Sequence, residues 1–322
     1  MKYLKLIRVQ NLLFILLIQY LIRQFVVVPL LLTHGIDLSG QKLYLILLMG
    51  ATVFIAAGAY VLNDYFDLKI DAINKPDRQF VGKSISRRMA MLLHQILTVI
   101  GVLLGIFLSY HLKSYSLLLI FIVIPGLLWF YSASYKRQFM VGNIVVALIA
   151  GLTVLLVGMV EVAVLRQQYY LLVVNTGIVG QIYAWTGGFA LFSFMLTWIR
   201  EVIKDMEDLE GDRELECRTM PIIWGIDKTK IFVIGLIVVS LSLLFVVYYF
   251  WIPYRDTLGL RYLVFGLLLP LLVLSYTLIR ARIAADFRSA SGIAKFIMLL
   301  GLGYAPVLYY QLVMLYQIPW LF

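Results

Sequence analysis

The chain has 322 residues, of which 63% are hydrophobic and only 14% charged, and its formal net charge is +10. A soluble domain is nearer half apolar and a quarter charged, so a water-soluble fold of this size would lack the polar surface to cover itself. The positive charge does not mark a nucleic-acid binder. No basic stretch is interleaved with aromatics, and most basic residues fall between long apolar runs, where membrane topology and anionic headgroups account for them.

Nine runs qualify as membrane spans: 12–32, 43–62, 89–110, 114–131, 141–164, 169–199, 230–250, 261–279 and 293–316. Crossing the hydrocarbon takes about 20 residues at 1.5 Å each. The first run is too long for a signal-peptide core and lacks a small-residue cleavage site, so it reads as an anchor rather than a cleaved leader. The fourth is short; the sixth is long enough to tilt or to extend beyond the bilayer. The predicted fold class is an all-α, multi-pass membrane bundle of nine helices, with residues 1–322 forming one integral-membrane domain.

With the N-terminus inside, the tail before the first run and alternate loops hold 21 of the 27 basic residues, counting Lys230 at a loop edge. The opposite loops hold only Lys42, Lys113, Arg166, Arg255 and Arg261. That asymmetry predicts a cytoplasmic N-terminus and an external C-terminus, in the cell inner (cytoplasmic) membrane. Arg87 and Arg88 fit a purely topogenic role. Arg23 and Glu161 lie within or near apolar runs. The single cysteine, Cys217, cannot form an internal disulfide and reads as a space-filling thiol.

Twelve of the 17 acidic residues fall in two stretches, 64–77 and 201–216, each following a span on the predicted cytoplasmic side. The first contains Asn63, Asp64, Asp67 and Asp71; the second contains Lys204, Asp205, Asp208 and Asp212. In both, the aspartates are spaced three and then four residues apart. On an α-helix those spacings put three carboxylates on one face, within about 60° of arc. Such a face repels itself unless a cation or donor neutralises it. One acidic run is ordinarily a solvated surface. Two with identical spacing at same-side boundaries point to a shared, oxygen-rich site suited to Mg²⁺ held jointly with phosphate oxygens. Soft-metal binding is disfavoured, since His34, His94 and His111 are scattered. Glu207, Glu210, Glu214 and Glu216 read as surface charges. The matched spacings suggest two related helical halves.

The segments N-D-Y-F-D-L-K-I-D-A-I-N-K-P-D-R (63–78) and R-E-V-I-K-D-M-E-D-L-E-G-D-R (200–213), with T-M-P at 219–221, closely resemble the paired signatures of the UbiA superfamily of intramembrane prenyltransferases. The resemblance covers essentially the whole chain and implies a nine-helix bundle with a central cavity open toward lipid. It also implies prenyl transfer from a polyprenyl diphosphate, with Asp64, Asp67, Asp71, Asp205, Asp208 and Asp212 holding Mg²⁺. Asn63 and Lys204 match the motifs as diphosphate contacts. Arg8 and Asn11 look like the family's entry to the first helix, although Val9 stands where proline is usual. Lys75 and Arg78 belong to the segment after the first motif, where Gln79 replaces the usual final proline. Tyr131 and Lys136 look like the tyrosine and basic residue after the fourth helix, the tyrosine as a substrate or carbocation contact; a membrane-interface aromatic is its plain alternative.

The motif style is closest to the geranylgeranylglycerol-phosphate branch, which implies geranylgeranyl diphosphate as donor and a glycerophosphate lipid as acceptor. An aromatic acceptor such as 4-hydroxybenzoate or dihydroxynaphthoate is the alternative. The expected chemistry is departure of diphosphate with its charge stabilised by Mg²⁺ and basic residues, in a cavity that keeps water from an allylic carbocation. Tyr60, Tyr65, Tyr131 and Trp185 are candidates to face that cation. A CDP-alcohol phosphotransferase would need a D-G-x-x-A-R motif, which is absent. A transporter would place acidic residues along a path through the spans rather than at one edge.

Overall fold

The computed structural model describes residues 2–38, 42–74, 79–251 and 257–320. Among them, nine helices are long and apolar enough to cross a membrane: α1 (Val9–Leu32), α2 (Leu43–Phe66), α3 (Arg87–His111), α4 (Tyr115–Ala133), α5 (Val141–Gln168), α6 (Ile178–Glu207), α7 (Ile226–Phe250), α8 (Thr257–Arg280) and α9 (Ala284–Tyr316). Each overlaps one expected span. The expected run 169–199 is divided, because a short helix at Tyr170–Asn175 precedes α6 and Thr176–Gly177 separates them. Hydropathy continues across that break, whereas the helical hydrogen-bond ladder does not.

Local chemistry sets several boundaries. Ser86 and Ser114 cap α3 and α4, their hydroxyls accepting from Met89 N at 3.2 Å and Leu117 N at 3.4 Å, which satisfies amides that a helix start leaves open. Three spans contain π-helical turns, at the end of α7 (Val247–Trp251) and inside α1 (Arg23–Val27) and α8 (Leu263–Leu268). Each of the last two lies just before a proline, Pro29 and Pro270. Proline offers no N–H and crowds the carbonyl four residues back; the wider turn accommodates both.

Hydrocarbon gives helices no hydrophobic reason to associate, so close packing must hold them together. The α2–α3 and α5–α6 pairs pack along much of their length. A side chain at Gly101 would come within 2.8 Å of the Ala51 carbonyl oxygen, and one at Gly158 within 2.5 Å of Thr186 Oγ1. One buried cluster joins α1, α5, α6 and the end of α9, and a second joins α6 to α7, α8 and the start of α9. Residues such as Leu103, Leu119, Phe245 and Phe265 face outward from α3, α4, α7 and α8, as lipid-facing side chains do.

A buried ion pair crosses this apolar interior. Arg23, on the π-turn of α1, donates Nε to Glu161 of α5 and Nη2 to the Leu38 carbonyl at 2.9 Å. Both residues are nearly inaccessible, at 1% and 3% exposure. The pair ties α1 and α5 to the segment leaving α1, at the end of the bundle away from the aspartate motifs. Removing one member of such a pair strands a charge, whereas replacing both with apolar residues is often neutral. Glu161→Ala should therefore lower stability by about 3–5 kcal/mol. Arg23→Met with Glu161→Leu should recover most of it, read as thermal unfolding midpoints in detergent. A wild-type midpoint for Glu161→Ala would remove this role.

Candidate active site

Both aspartate motifs fold the same way. Helix α2 ends at Phe66, Asp67 takes φ −87° and ψ 5°, and a short helix follows at Leu68–Asn74. Helix α6 ends at Glu207, Asp208 takes φ −92° and ψ 11°, and a short helix follows at Leu209–Glu214. The expected single helical face is therefore corrected to helix, hinge and short helix, with the middle aspartate as hinge. Backbone bonds still run through each hinge, from Asp67 N to Asn63 O at 2.9 Å and from Asp208 N to Lys204 O at 2.9 Å. The two short helices pack against each other, so segments far apart in sequence meet at one end of the bundle.

Around the first motif the chain supplies its own cations. Arg8 Nη2 donates to Asp64 Oδ1 at 2.7 Å, and its guanidinium lies 5.1 Å from the centroid of the Tyr60 ring. Arg8 holds a left-handed backbone, φ 52°, at the start of α1. Burial by itself lowers the basicity of this guanidinium, but the Asp64 charge and hydrogen bond outweigh it and leave the pKa above the usual arginine value. Asp67 is buried, accepts from Asn63 Nδ2 at 2.7 Å and forms an ion pair with Lys136. Lys136 also reaches Asn63 Oδ1 at 3.4 Å. Burial pulls the Lys136 ammonium below the ordinary lysine range, with Asp67 acting against it. Gly142 backs this turn: a side chain there would lie 2.6 Å from Lys136 Cα.

In the second motif, Asp205 Oδ2 accepts from Asn143 Nδ2 of α5 at 2.9 Å. Asp212 is buried on the short helix, within electrostatic reach of Asp205. Arg218 N bonds the Arg137 carbonyl at 2.8 Å, joining the segment after this motif to the turn bearing Lys136. Cys217 is buried nearby, and burial raises its thiol pKa. Tyr131, at the end of α4, lies within electrostatic reach of Asp67, Asp205, Glu201 and Arg8, and so sits between the motifs.

Two more of the expected diphosphate contacts lie beside these groups, on other partners within the chain. Lys204 bonds Glu201 at 3.0 and 3.1 Å, and Asn11 accepts from Lys295 of α9 at 3.4 Å. Glu201 also takes Arg200 Nη1 at 2.8 Å. Tyr60 is hydrogen-bonded to Asn11 and lies within reach of Arg8, Arg200 and Glu201. These polar groups gather where α1, α2, α6 and α9 converge, and they join the motifs through Arg8 and through Asp205, which lies within electrostatic reach of Glu201 and Lys204. Lys75 and Arg78 lie outside the described residues. Glu207, expected at the surface, instead keeps a largely buried side chain that pairs with Arg288 of α9 at 2.8 Å.

Sequence reasoning left Asn143, Arg200, Glu201 and Lys295 off the site. An asparagine in an apolar span and the Arg-Glu pair before the second motif were available signals. Lys295 offered none, because its contact spans 284 positions.

Among the described residues, no three or more His, Cys, Asp or Glu side chains converge as a ready metal cage. The donor set is hard oxygen throughout, and Asp205 is already oriented by an amide. Mg²⁺ characteristically takes one or two carboxylates and completes its shell with water and substrate phosphates. The residues present fit a cation of that kind.

A family model, the UbiA prenyltransferase family, matches residues 24–315. The chain belongs to that family. It is a multi-pass integral-membrane protein and a prenyltransferase. A protein of Sulfurisphaera tokodaii named digeranylgeranylglyceryl phosphate synthase is 31% identical over 263 residues, 80% of this chain and 82% of that one. A protein of Methanosphaera stadtmanae with the same name is 30% identical over 208 residues, 64% of this chain and 68% of that one. A solved structure of a UbiA homologue from Archaeoglobus fulgidus bound to GPP and Mg²⁺ matches with TM-score 0.58 at 14% identity, over 95% of this chain and all of that one. A structure concerning digeranylgeranylglyceryl phosphate synthase matches with TM-score 0.65 at 24% identity, over 96% and 97%.

The Asn143–Asp205 bond offers a direct test of the prenyltransferase site. Asn143→Ala removes a donor to a charged acceptor, a contact contributing about 1.5–3 kcal/mol. Prenyl transfer should fall roughly tenfold or more, with elution of the purified variant unchanged and its thermal unfolding midpoint lowered by only a few degrees. An unaltered rate would show that Asn143 does not orient Asp205 for the reaction.

Proposed function

We propose that the protein transfers a geranylgeranyl group from geranylgeranyl diphosphate to geranylgeranylglycerol phosphate, with Mg²⁺ bound at the aspartate motifs. The carrying observation is the meeting of two identically hinged motifs, with Arg8 and Lys136 set against the first. The branch follows from relatives named digeranylgeranylglyceryl phosphate synthase at about 30% identity. The metal and donor class follow from the fold neighbour bound to GPP and Mg²⁺.

On this reading Asp64, Asp67, Asp71, Asp205, Asp208 and Asp212 would hold the cation, whose bound charge offsets that of the diphosphate. Arg8, Asn63 and Lys136 bind and orient the diphosphate as the allylic C–O bond breaks and the leaving group takes the electron pair. On this reading apolar side chains would exclude water from the carbocation, and Tyr131, within electrostatic reach of both motifs, would face it. The acceptor hydroxyl oxygen forms the new bond to the allylic carbon and its proton is released. Asn11 and Lys204, expected on the diphosphate, stand beside Arg8 and Asp205 through Tyr60 and Glu201 and keep that assignment on this reading. We read the motif-bearing end as cytoplasmic on the basic-residue asymmetry, and the chain as one domain built from two related halves, on the matching hinges.

The test is transfer by purified protein with geranylgeranyl diphosphate and separate acceptors: geranylgeranylglycerol phosphate, dihydroxynaphthoate and 4-hydroxybenzoate. Activity should require Mg²⁺, vanish with chelator and return on adding the metal back. Product is expected with the glycerophosphate; product with an aromatic acceptor alone would reassign the branch. Asp64→Ala and Asp208→Ala should nearly abolish transfer while membrane insertion and unfolding midpoint persist. Near-normal turnover in both would sink the metal role.

A further inference from the structure

The last residue of α6 is a carboxylate in an unfavourable place. Glu207 ends the helix, where the dipole opposes negative charge, and its side chain is only 9% exposed. Just before it, Ile203 and Met206 are buried in the cluster that α6 shares with Phe287, Ala290 and Ala294 of α9. Arg288 stands beside that face of α9 and donates Nε to Glu207 Oε1 at 2.8 Å. Its guanidinium also lies within electrostatic reach of Asp208, the hinge of the second motif. The Arg288 side chain is 63% exposed, so water screens the pair and it adds little to overall stability. What the pair does is hold the last turn of α6, one residue before the chain bends.

The corner that carries Arg288 is itself braced. Asp286 Oδ2 accepts from Arg282 N at 2.8 Å and from Ile283 N at 3.1 Å, closing the first turn of α9. Lys230 of α7 donates to the Ile279 carbonyl at 3.4 Å and to that of Ala281, and its ammonium lies 5.8 Å from the centroid of the Phe287 ring. Arg288 therefore reaches Glu207 from a fixed base. The first motif has a matching arrangement. Its hinge residue, Asp67, pairs with Lys136 from the turn between α4 and α5. Counted in spans, the two cations come from the same place. Helix α2 leads into the first motif and Lys136 comes just after the second span beyond it. Helix α6 leads into the second motif and Arg288 comes just after the second span beyond that.

We propose that Arg288 is a positioning residue for the second motif: paired with Glu207, it holds the end of α6 so that Asp208 and Asp212 are presented to the cation site. It is the counterpart, in the second half of the chain, of Lys136 in the first. This rests on the reading above of the motifs as a Mg²⁺ site and of the chain as two related halves. Arg288 acts through the backbone at Glu207 and Asp208, not as a ligand or a substrate contact. By charge alone a guanidinium beside Asp208 weakens the binding of a cation, because like charges repel. By fixing the hinge it strengthens that binding. The two effects have opposite signs, which is what makes the role measurable.

The experiment is Mn²⁺ binding, as a probe for Mg²⁺, to the full-length protein in phosphatidylcholine nanodiscs. It is followed by electron paramagnetic resonance at a fixed concentration of inorganic diphosphate, beside the Mg²⁺ dependence of prenyl transfer. The double variant Glu207→Gln with Arg288→Gln leaves the net charge unchanged and removes only the ion pair. It should raise the Mn²⁺ dissociation constant and the half-saturating Mg²⁺ concentration by roughly threefold to tenfold. That is less than the full loss of a charge-assisted hydrogen bond, because one partner is exposed. Saturating Mg²⁺ should restore most of the rate. Arg288→Lys, which keeps the charge and a donor, should recover part of the affinity. Glu161→Ala, which weakens the opposite end of the bundle, should leave both constants at their wild-type values. Wild-type or tighter Mn²⁺ binding in the double variant, or an equal loss in Glu161→Ala, would overturn the positioning role. Wild-type protein that binds no Mn²⁺ and transfers without Mg²⁺ would refute the metal site itself, a result distinct from failure of Arg288.

Discussion

Hydrocarbon solvates neither backbone amides nor carboxylates, and most of this architecture follows from that. Six motif aspartates can gather only at an edge of the bundle, where their mutual repulsion still has to be met. The chain meets it from separate elements. Arg8 enters from the segment before α1, Asn63 from α2, Lys136 from the turn after α4 and Asn143 from α5. None of these elements is adjacent in sequence to the carboxylate it serves except Asn63. The charge problem at the motifs therefore also fixes how four parts of the bundle converge. Arg23 and Glu161 are the exception that keeps the rule: a charge placed inside the bundle brings its partner and a backbone carbonyl with it.

The hinges at Asp67 and Asp208 give the motifs their shape. A continuous helix would carry each set of carboxylates straight along its axis, away from the other. With ψ near zero at the middle residue, the chain turns there while nearly all of its amide bonding persists, so the turn costs little in unsatisfied groups. The short helices then lean together and meet. Gly211 is buried in the second of them. Identical backbone geometry at positions 141 residues apart is a structural echo of the identical spacing.

Composition made the nine spans legible, because a membrane helix needs only length and apolarity. It could not give their ends. Helices α2 and α6 run on through Asn63–Phe66 and Arg200–Glu207, since helical bonding outlasts hydrophobicity where the chain leaves the hydrocarbon. The break at Thr176–Gly177 was hidden for the converse reason: apolar residues continue across it. Within the site, the aspartates, Arg8 and Lys136 were readable through motif spacing and family resemblance. Asn143 and Lys295 were not, because their contacts depend on how helices 62 and 284 positions apart cross. Glu207 looked like one more surface charge until α9 brought Arg288 over it.

On the proposed reading, the gathering of the polar groups at one membrane edge has a chemical reason. A carbocation formed next to its leaving group returns to it unless the acceptor already stands close, on a path that water cannot share. That requirement is met when both substrates are anchored by their heads at the same membrane edge, with their chains buried in parallel. Tyr131 lies within electrostatic reach of both motifs, through Asp67 and Asp205, and of Arg8 and Glu201.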